Sequence, residues 1–172
     1  INTAHDRGMK VIPYMSPFYF GDSRGFVGRE TMPKYLKKVQ AVLAEYGFDG
    51  VYLDGLYKND VDGSYELLRQ LRRMLGDGRI IYVHGTKMPL EKICCPFIDT
   101  YATYTLRGEH TKLTEEQARW IVSNHNLGNS VGTLCYDSTQ LTSETIDLVL
   151  SVNARLPYWV QDGTWSNLKY YL

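Results

Sequence analysis

The sequence predicts an α/β fold: a parallel sheet closed as a TIM-type (β/α)-barrel. Three observations carry this expectation. Short runs rich in β-branched and aromatic residues alternate with helical patterns along the whole chain, and crossovers of that length return the chain to the same end of a parallel sheet. No glycine-rich phosphate loop follows any of the runs, which argues against an open nucleotide-binding sheet. The chain opens in what reads as the tail of a helix, Ile1 to Gly8, and six strand patterns follow. The expected elements are therefore strands three to eight of an eight-stranded barrel with its N-terminal part missing. Residues 1–172 would form one domain, a piece of a longer one.

The first expected strand is Met9 to Met15, followed by an aromatic and glycine-rich loop, Ser16 to Arg29. Thr31 and Pro33 open a helix with Leu36, Val39, Leu43 and Tyr46 on its apolar face, closed by Gly47. Gly50 to Asp54 is the next strand. Asp62 or Ser64 is expected to cap a helix carrying Leu67, Leu68, Leu71 and Leu75, with Gly76 after it. Arg79 to His84 is a nearly continuous apolar run, the pattern of a strand covered on both faces. One helical turn is expected at Pro89 to Cys94, then a strand at Phe97 to Tyr104 and a polar loop from Thr105 to Leu113. Thr114 and Gln117 have the spacing of a capping box. Val131 to Tyr136 reads as a strand, Thr142 opens a helix through Asn153, and Leu156 to Val160 is the last strand.

Composition narrows the function classes. The 172 residues are 44% hydrophobic and 22% charged, the profile of a folded globular chain. Nineteen basic residues balance nineteen acidic ones, so no global field attracts nucleic acid or anionic lipid. No apolar run approaches the roughly 20 residues of a membrane helix. Cys94, Cys95 and Cys135 lack metal-site spacing and read as buried free thiols, which favours a cytoplasmic compartment slightly; any leader would precede Ile1. A barrel lacking two strands would expose sheet edges, so self-association is expected.

In such barrels the reactive groups sit just past the strands, at the C-terminal face. The residues so placed are Tyr14, Asp54, His84, Tyr104 with Arg107 and Glu109, then Asp137, and finally Trp159 with Asp162. Carboxylates, a histidine, an arginine and aromatics suit a polyol: hydroxyls need hydrogen-bonding groups, and a pyranose face packs on rings. Asp49 precedes its strand and is expected to be structural. His5, His110 and His125 read as surface or packing residues.

The segment Tyr46-Gly47-Phe48-Asp49-Gly50-Val51-Tyr52-Leu53-Asp54-Gly55 resembles the strand-four segment of retaining glycoside hydrolases related to α-galactosidases and α-amylases. His5 to Tyr14 is similar to their approach to strand three, and Asp99 through Glu109 looks like a strand-six segment of hydrolases of the same kind. The resemblance implies Asp54 as nucleophile and Glu109 as acid/base, with Tyr14, His84, Tyr104, Arg107, Asp137, Trp159 and Asp162 binding an oligosaccharide or polysaccharide. It implies no cofactor and no metal. The chain departs from the pattern at Tyr52, where galactosidase relatives carry Lys and amylase relatives Arg, and at His84, where the amylase branch expects Glu. Two alternatives stay open: a non-catalytic carbohydrate-binding or degenerate barrel, and a metal-dependent hydrolase using Asp54, His84, Asp137 or His110.

Overall fold

The computed structural model describes residues 1–20, 28–56, 61–84, 99–107, 114–127, 131–134 and 142–154, with side chains undescribed at 124–127 and 131–134. Helix α1 is the short turn Asn2–His5. Helix α2, Met32–Tyr46, starts after Thr31 with Pro33 in its first turn. It stops at Gly47, whose φ of 69° a side chain would disfavour and whose N–H donates to the Leu43 carbonyl. Its buried face is Met32, Tyr35, Val39 and Leu43. Tyr46, expected on that face, is 53% exposed and lies over Phe48 at the helix exit.

Strand β1 is Gly50–Leu53, and helix α3, Val61–Leu75, buries Leu67, Leu68 and Leu71. Asp62 and Ser64 lie inside the first turn of α3 and not before it, so neither is its N-cap. Strand β2 is Ile80–His84 and pairs in parallel with β1, with Gly50 opposite Ile80 and Leu53 opposite Val83. Strand β3 is Tyr104–Arg107, parallel to β2 with Tyr82 opposite Tyr104. Of the expected strand at Phe97 to Tyr104, Phe97 and Ile98 lie outside the described residues, and Asp99 to Thr103 precede the strand. Within that run Ala102 turns back to donate to the Asp99 carbonyl, Tyr101 packs on Tyr65, and Ala102 enters the core. Asp99 to Ala102 thus form a turn, and strand pairing begins near the end of the expected strand.

Helix α4, Glu115–Leu127, carries the expected capping box: Gln117 N–H donates to Thr114 Oγ1, and Thr114 N–H to Gln117 Oε1. Strand β4, Val131–Leu134, pairs in parallel with β3. Helix α5, Ser143–Ser151, is capped by Thr142, which accepts from Thr145 N–H. The described sheet runs β1-β2-β3-β4. The segment around Tyr14 lies alongside β1 in the same sense: Tyr14 bridges Tyr52, Met15 N–H donates to the Tyr52 carbonyl, and Tyr52 N–H to the Pro13 carbonyl. The expected helical turn at Pro89 to Cys94 and the last strand at Leu156 to Val160 lie outside the described residues.

Val51, Leu53, Ile81 and Val83 are buried in one cluster with the apolar faces of α2 and α3. A second cluster joins Ala118 and Ile121 of α4 to Val149 of α5, with Val152 and Ala154 beyond it. Arg72 ties the lower ends together, donating to the carbonyls of Gly76, Arg79 and Tyr101 and to Thr103 Oγ1. Asp49, just before β1, fastens the first segment. Its carboxylate accepts from Val11 N–H, His5 Nε2 and Lys10 Nζ at 2.8–3.0 Å, and these bonds, the backbone one foremost, hold it far below the usual carboxylate range.

Two tests follow from these contacts. A Cβ at Gly50 would stand 2.0 Å from the Ile80 carbonyl oxygen, whereas one at Gly78 meets nothing within 4 Å. Gly50→Ala should therefore cost about 3 kcal/mol or more by chemical denaturation, and Gly78→Ala should stay within about 1 kcal/mol of wild type. Asp49 has a lowered folded pKa, so its stabilisation is present above the unfolded pKa and lost as pH falls through the folded one. Asp49→Asn should abolish that acid-side loss and speed amide exchange at Val11. Unchanged Val11 protection would remove Asp49 from this role.

Candidate active site

Strand parity decides which side chains can meet a ligand. Val51, Leu53, Ile81 and Val83 face the helices, so Tyr52, Tyr82 and their neighbours at two-residue spacing take the other face. Register then lines up four tyrosines, Tyr14, Tyr52, Tyr82 and Tyr104, on adjacent strands. Their ring centroids are 5.8, 5.2 and 5.5 Å apart, within the range of favourable aromatic pairs.

Asp54 follows the last residue of β1 and His84 is the last residue of β2, so the pairing of Leu53 with Val83 carries the two side by side. His84 Nδ1 lies 3.0 Å from Asp54 Oδ1 and 2.8 Å from the Tyr52 hydroxyl. The Tyr14 hydroxyl donates to Asp54 Oδ2 at 2.5 Å. The backbone is held as well: Ser16 Oγ donates to the Asp54 carbonyl at 2.8 Å, and Gly55 turns the chain at a φ of 71° against Phe18.

The His84 hydrogen bond is the main influence holding the Asp54 carboxyl below the usual carboxylate range. Partial burial opposes it, and the Tyr14 hydroxyl adds to it. Tyr14 is pushed well up by desolvation first and then by the Asp54 carboxylate. Asp54 is therefore an anion at neutral pH and Tyr14 a neutral donor. The Asp54 side chain is 30% exposed and that of His84 only 6%, so the carboxylate, not the imidazole, is the group presented outward.

The structure brings Tyr14, Asp54 and His84 together, as their places after successive strands led us to expect. Two other expected site residues are placed differently. Tyr104 opens β3 and stacks on Tyr82, so it sits below the strand end. Arg107 has the parity of Thr105 and Val83, the helix-facing side; it is buried, with Nη2 3.5 Å from the equally buried Asp99. Asp99 had drawn notice only as the start of the strand-six-like segment. Tyr52 had drawn notice only as a departure from a family pattern, although its spacing of two from Asp54 already puts both on one face. Glu109, Asp137, Trp159 and Asp162 lie outside the described residues. Among the described residues, no group of three His, Cys, Asp or Glu side chains could hold a metal ion, and no helix is long and apolar enough to cross a membrane.

No family model and no curated protein matches the sequence. Solved structures do share its fold. A chitinase from Aspergillus fumigatus matches with a TM-score of 0.60 and 16% identity over 99% of this chain and 75% of that one. An endo-β-N-acetylglucosaminidase from Cordyceps militaris matches with a TM-score of 0.61 and 11% identity over 94% of this chain and 59% of that one. The second catalytic domain of a group II chitinase from Ostrinia furnacalis, a mutant in complex with penta-N-acetylchitooctaose, matches with a TM-score of 0.55 and 18% identity over 77% of this chain. The present chain spans 46% of that domain, so it covers about half of such relatives. These neighbours are TIM-barrel glycoside hydrolases, and at this identity they establish a shared α/β fold with parallel strands. They are not the galactosidases and amylases that Tyr46 to Gly55 resembles.

Proposed function

We propose that this chain is part of the catalytic (β/α)-barrel of a glycoside hydrolase acting on an oligosaccharide or polysaccharide. The observation that carries the reading is Asp54: an ionised, outward-facing carboxylate at a strand end, oriented from two sides, in a chain with the fold of chitinases. In this reading Asp54 attacks the anomeric carbon and Glu109 protonates the departing oxygen. Water then hydrolyses the glycosyl-enzyme, with Glu109 acting as base. In this reading Tyr82 and Tyr104 offer ring faces to a sugar, and Asp137, Trp159 and Asp162 bind it as well. No cofactor takes part. Chitooligosaccharides are the first substrates to assay, because neighbours of this fold are chitinases and one holds such an oligosaccharide.

The binding-module reading also has support: both Asp54 oxygens already accept hydrogen bonds, which lowers their nucleophilicity. Turnover separates the two. On a verified substrate, Asp54→Asn should lower kcat by several orders of magnitude. Glu109→Gln should harm substrates with poor leaving groups most, and azide should restore part of its turnover as a glycosyl azide of retained configuration. Near-normal rates in Asp54→Asn would remove Asp54 from the mechanism. Saturable oligosaccharide binding by wild type without hydrolysis of any glycoside would leave the binding module.

A further inference from the structure

The neighbours of Asp54 were expected to bind substrate, but their geometry points elsewhere. An ionised carboxylate oxygen has only lone pairs, so His84 Nδ1 at 3.0 Å has to carry a proton to approach it. The Tyr52 oxygen, 2.8 Å from the same nitrogen, accepts a share of that N–H. Two oxygens thus select one tautomer of a ring that is almost fully buried. Tyr14, bridged to Tyr52 from the other side, donates to the second Asp54 oxygen. Ser16 fixes the backbone between them.

We infer that His84, locked by Tyr52, and Tyr14 are positioning residues that hold the Asp54 carboxylate in a single orientation, and that they do not serve as substrate-binding groups. The departure at Tyr52 is then functional: its hydroxyl sets the His84 tautomer from beneath, where a lysine or arginine would have placed a charge beside the carboxylate. The inference rests on Asp54 being the reaction-centre carboxylate, yet its first test needs no turnover.

The test is NMR on the whole chain, following the Asp54 carboxyl carbon and the His84 ring nitrogens. Wild type should show Asp54 titrating below the ordinary aspartate range and His84 protonated at Nδ1. Tyr14→Phe, a change at an exposed ring, should raise the Asp54 midpoint by about 0.5–1 pH unit, the size of one hydrogen bond. Tyr52→Phe should shift the His84 population toward the Nε2–H tautomer. His84→Asn should raise the Asp54 midpoint as well; if that variant does not fold, the two tyrosine variants decide. A wild-type His84 protonated at Nε2 alone, or an Asp54 midpoint unmoved in Tyr14→Phe, would overturn the inference. With a substrate in hand, Tyr14→Phe should lower kcat at least tenfold and leave KM within about twofold; a raised KM at unchanged kcat would return Tyr14 to substrate binding. Absence of any hydrolysis by wild type would sink the glycosidase reading, while the titration and tautomer results would still decide this one.

Discussion

Everything in the described sheet depends on which face of β1 and β2 meets the helices. Val51, Leu53, Ile81 and Val83 are fully buried against α2 and α3, together with Leu67, Leu68 and Leu71. Full burial of such side chains is worth about 1.5–3 kcal/mol each, so the set greatly outweighs any single polar contact. A slip of one residue would turn all four strand residues away from the helices and bring Tyr52, Tyr82 and His84 into an apolar layer. The hydrophobic requirement therefore fixes parity, and parity delivers Tyr52, Asp54 and His84 to the opposite face without further instruction.

Parallel register does the rest of the placement. Because the segment around Tyr14, β1, β2 and β3 run in one sense, a single level across them holds Tyr14, Tyr52, Tyr82 and Tyr104, and the level above begins with Asp54 and His84. Arg107 shows the same rule from the other side. Its parity directs it to the helices, where a lone guanidinium would be costly, and Asp99, itself fully buried, supplies the opposing charge. A residue that the sequence offered as a substrate ligand thus lies buried beside an internal carboxylate.

The parts of this arrangement that were legible in the sequence are those written in local chemistry. Gly47 and Gly76 end helices, Thr114 and Gln117 start one, and Asp54 closes an apolar run before a glycine. The failures are equally local in cause. Phe97 to Tyr104 read as one strand, yet Asp99 to Ala102 turn and the strand starts only at Tyr104, a difference that residue type does not announce. Asp62 and Ser64 are good caps by type, but the first turn of α3 already contains them. The contact of His84 with both Asp54 and Tyr52 joins residues about thirty positions apart, and only the pairing of β1 with β2 reveals it.

Asp54 also shows how bonds from a neighbouring imidazole and phenol decide the charge of a half-buried group. Burial alone would push its carboxyl toward the neutral form; an imidazole N–H and a phenol hydroxyl reverse that balance. A donor pair of this kind suits an attacking or charge-stabilising carboxylate and makes a poor proton donor, because the proton is the thing its surroundings displace. A two-carboxylate mechanism then requires the second acid to stand where such donors are few, so that it keeps its proton at the same pH. Asp49 cannot meet this requirement, being held ionised by Lys10, His5 and a backbone N–H before the start of β1; Asp99, buried against Arg107, cannot reach a ligand. Under the proposed two-carboxylate mechanism, Asp54 therefore suits the ionised role, and Glu109 is the acid proposed as its protonated partner.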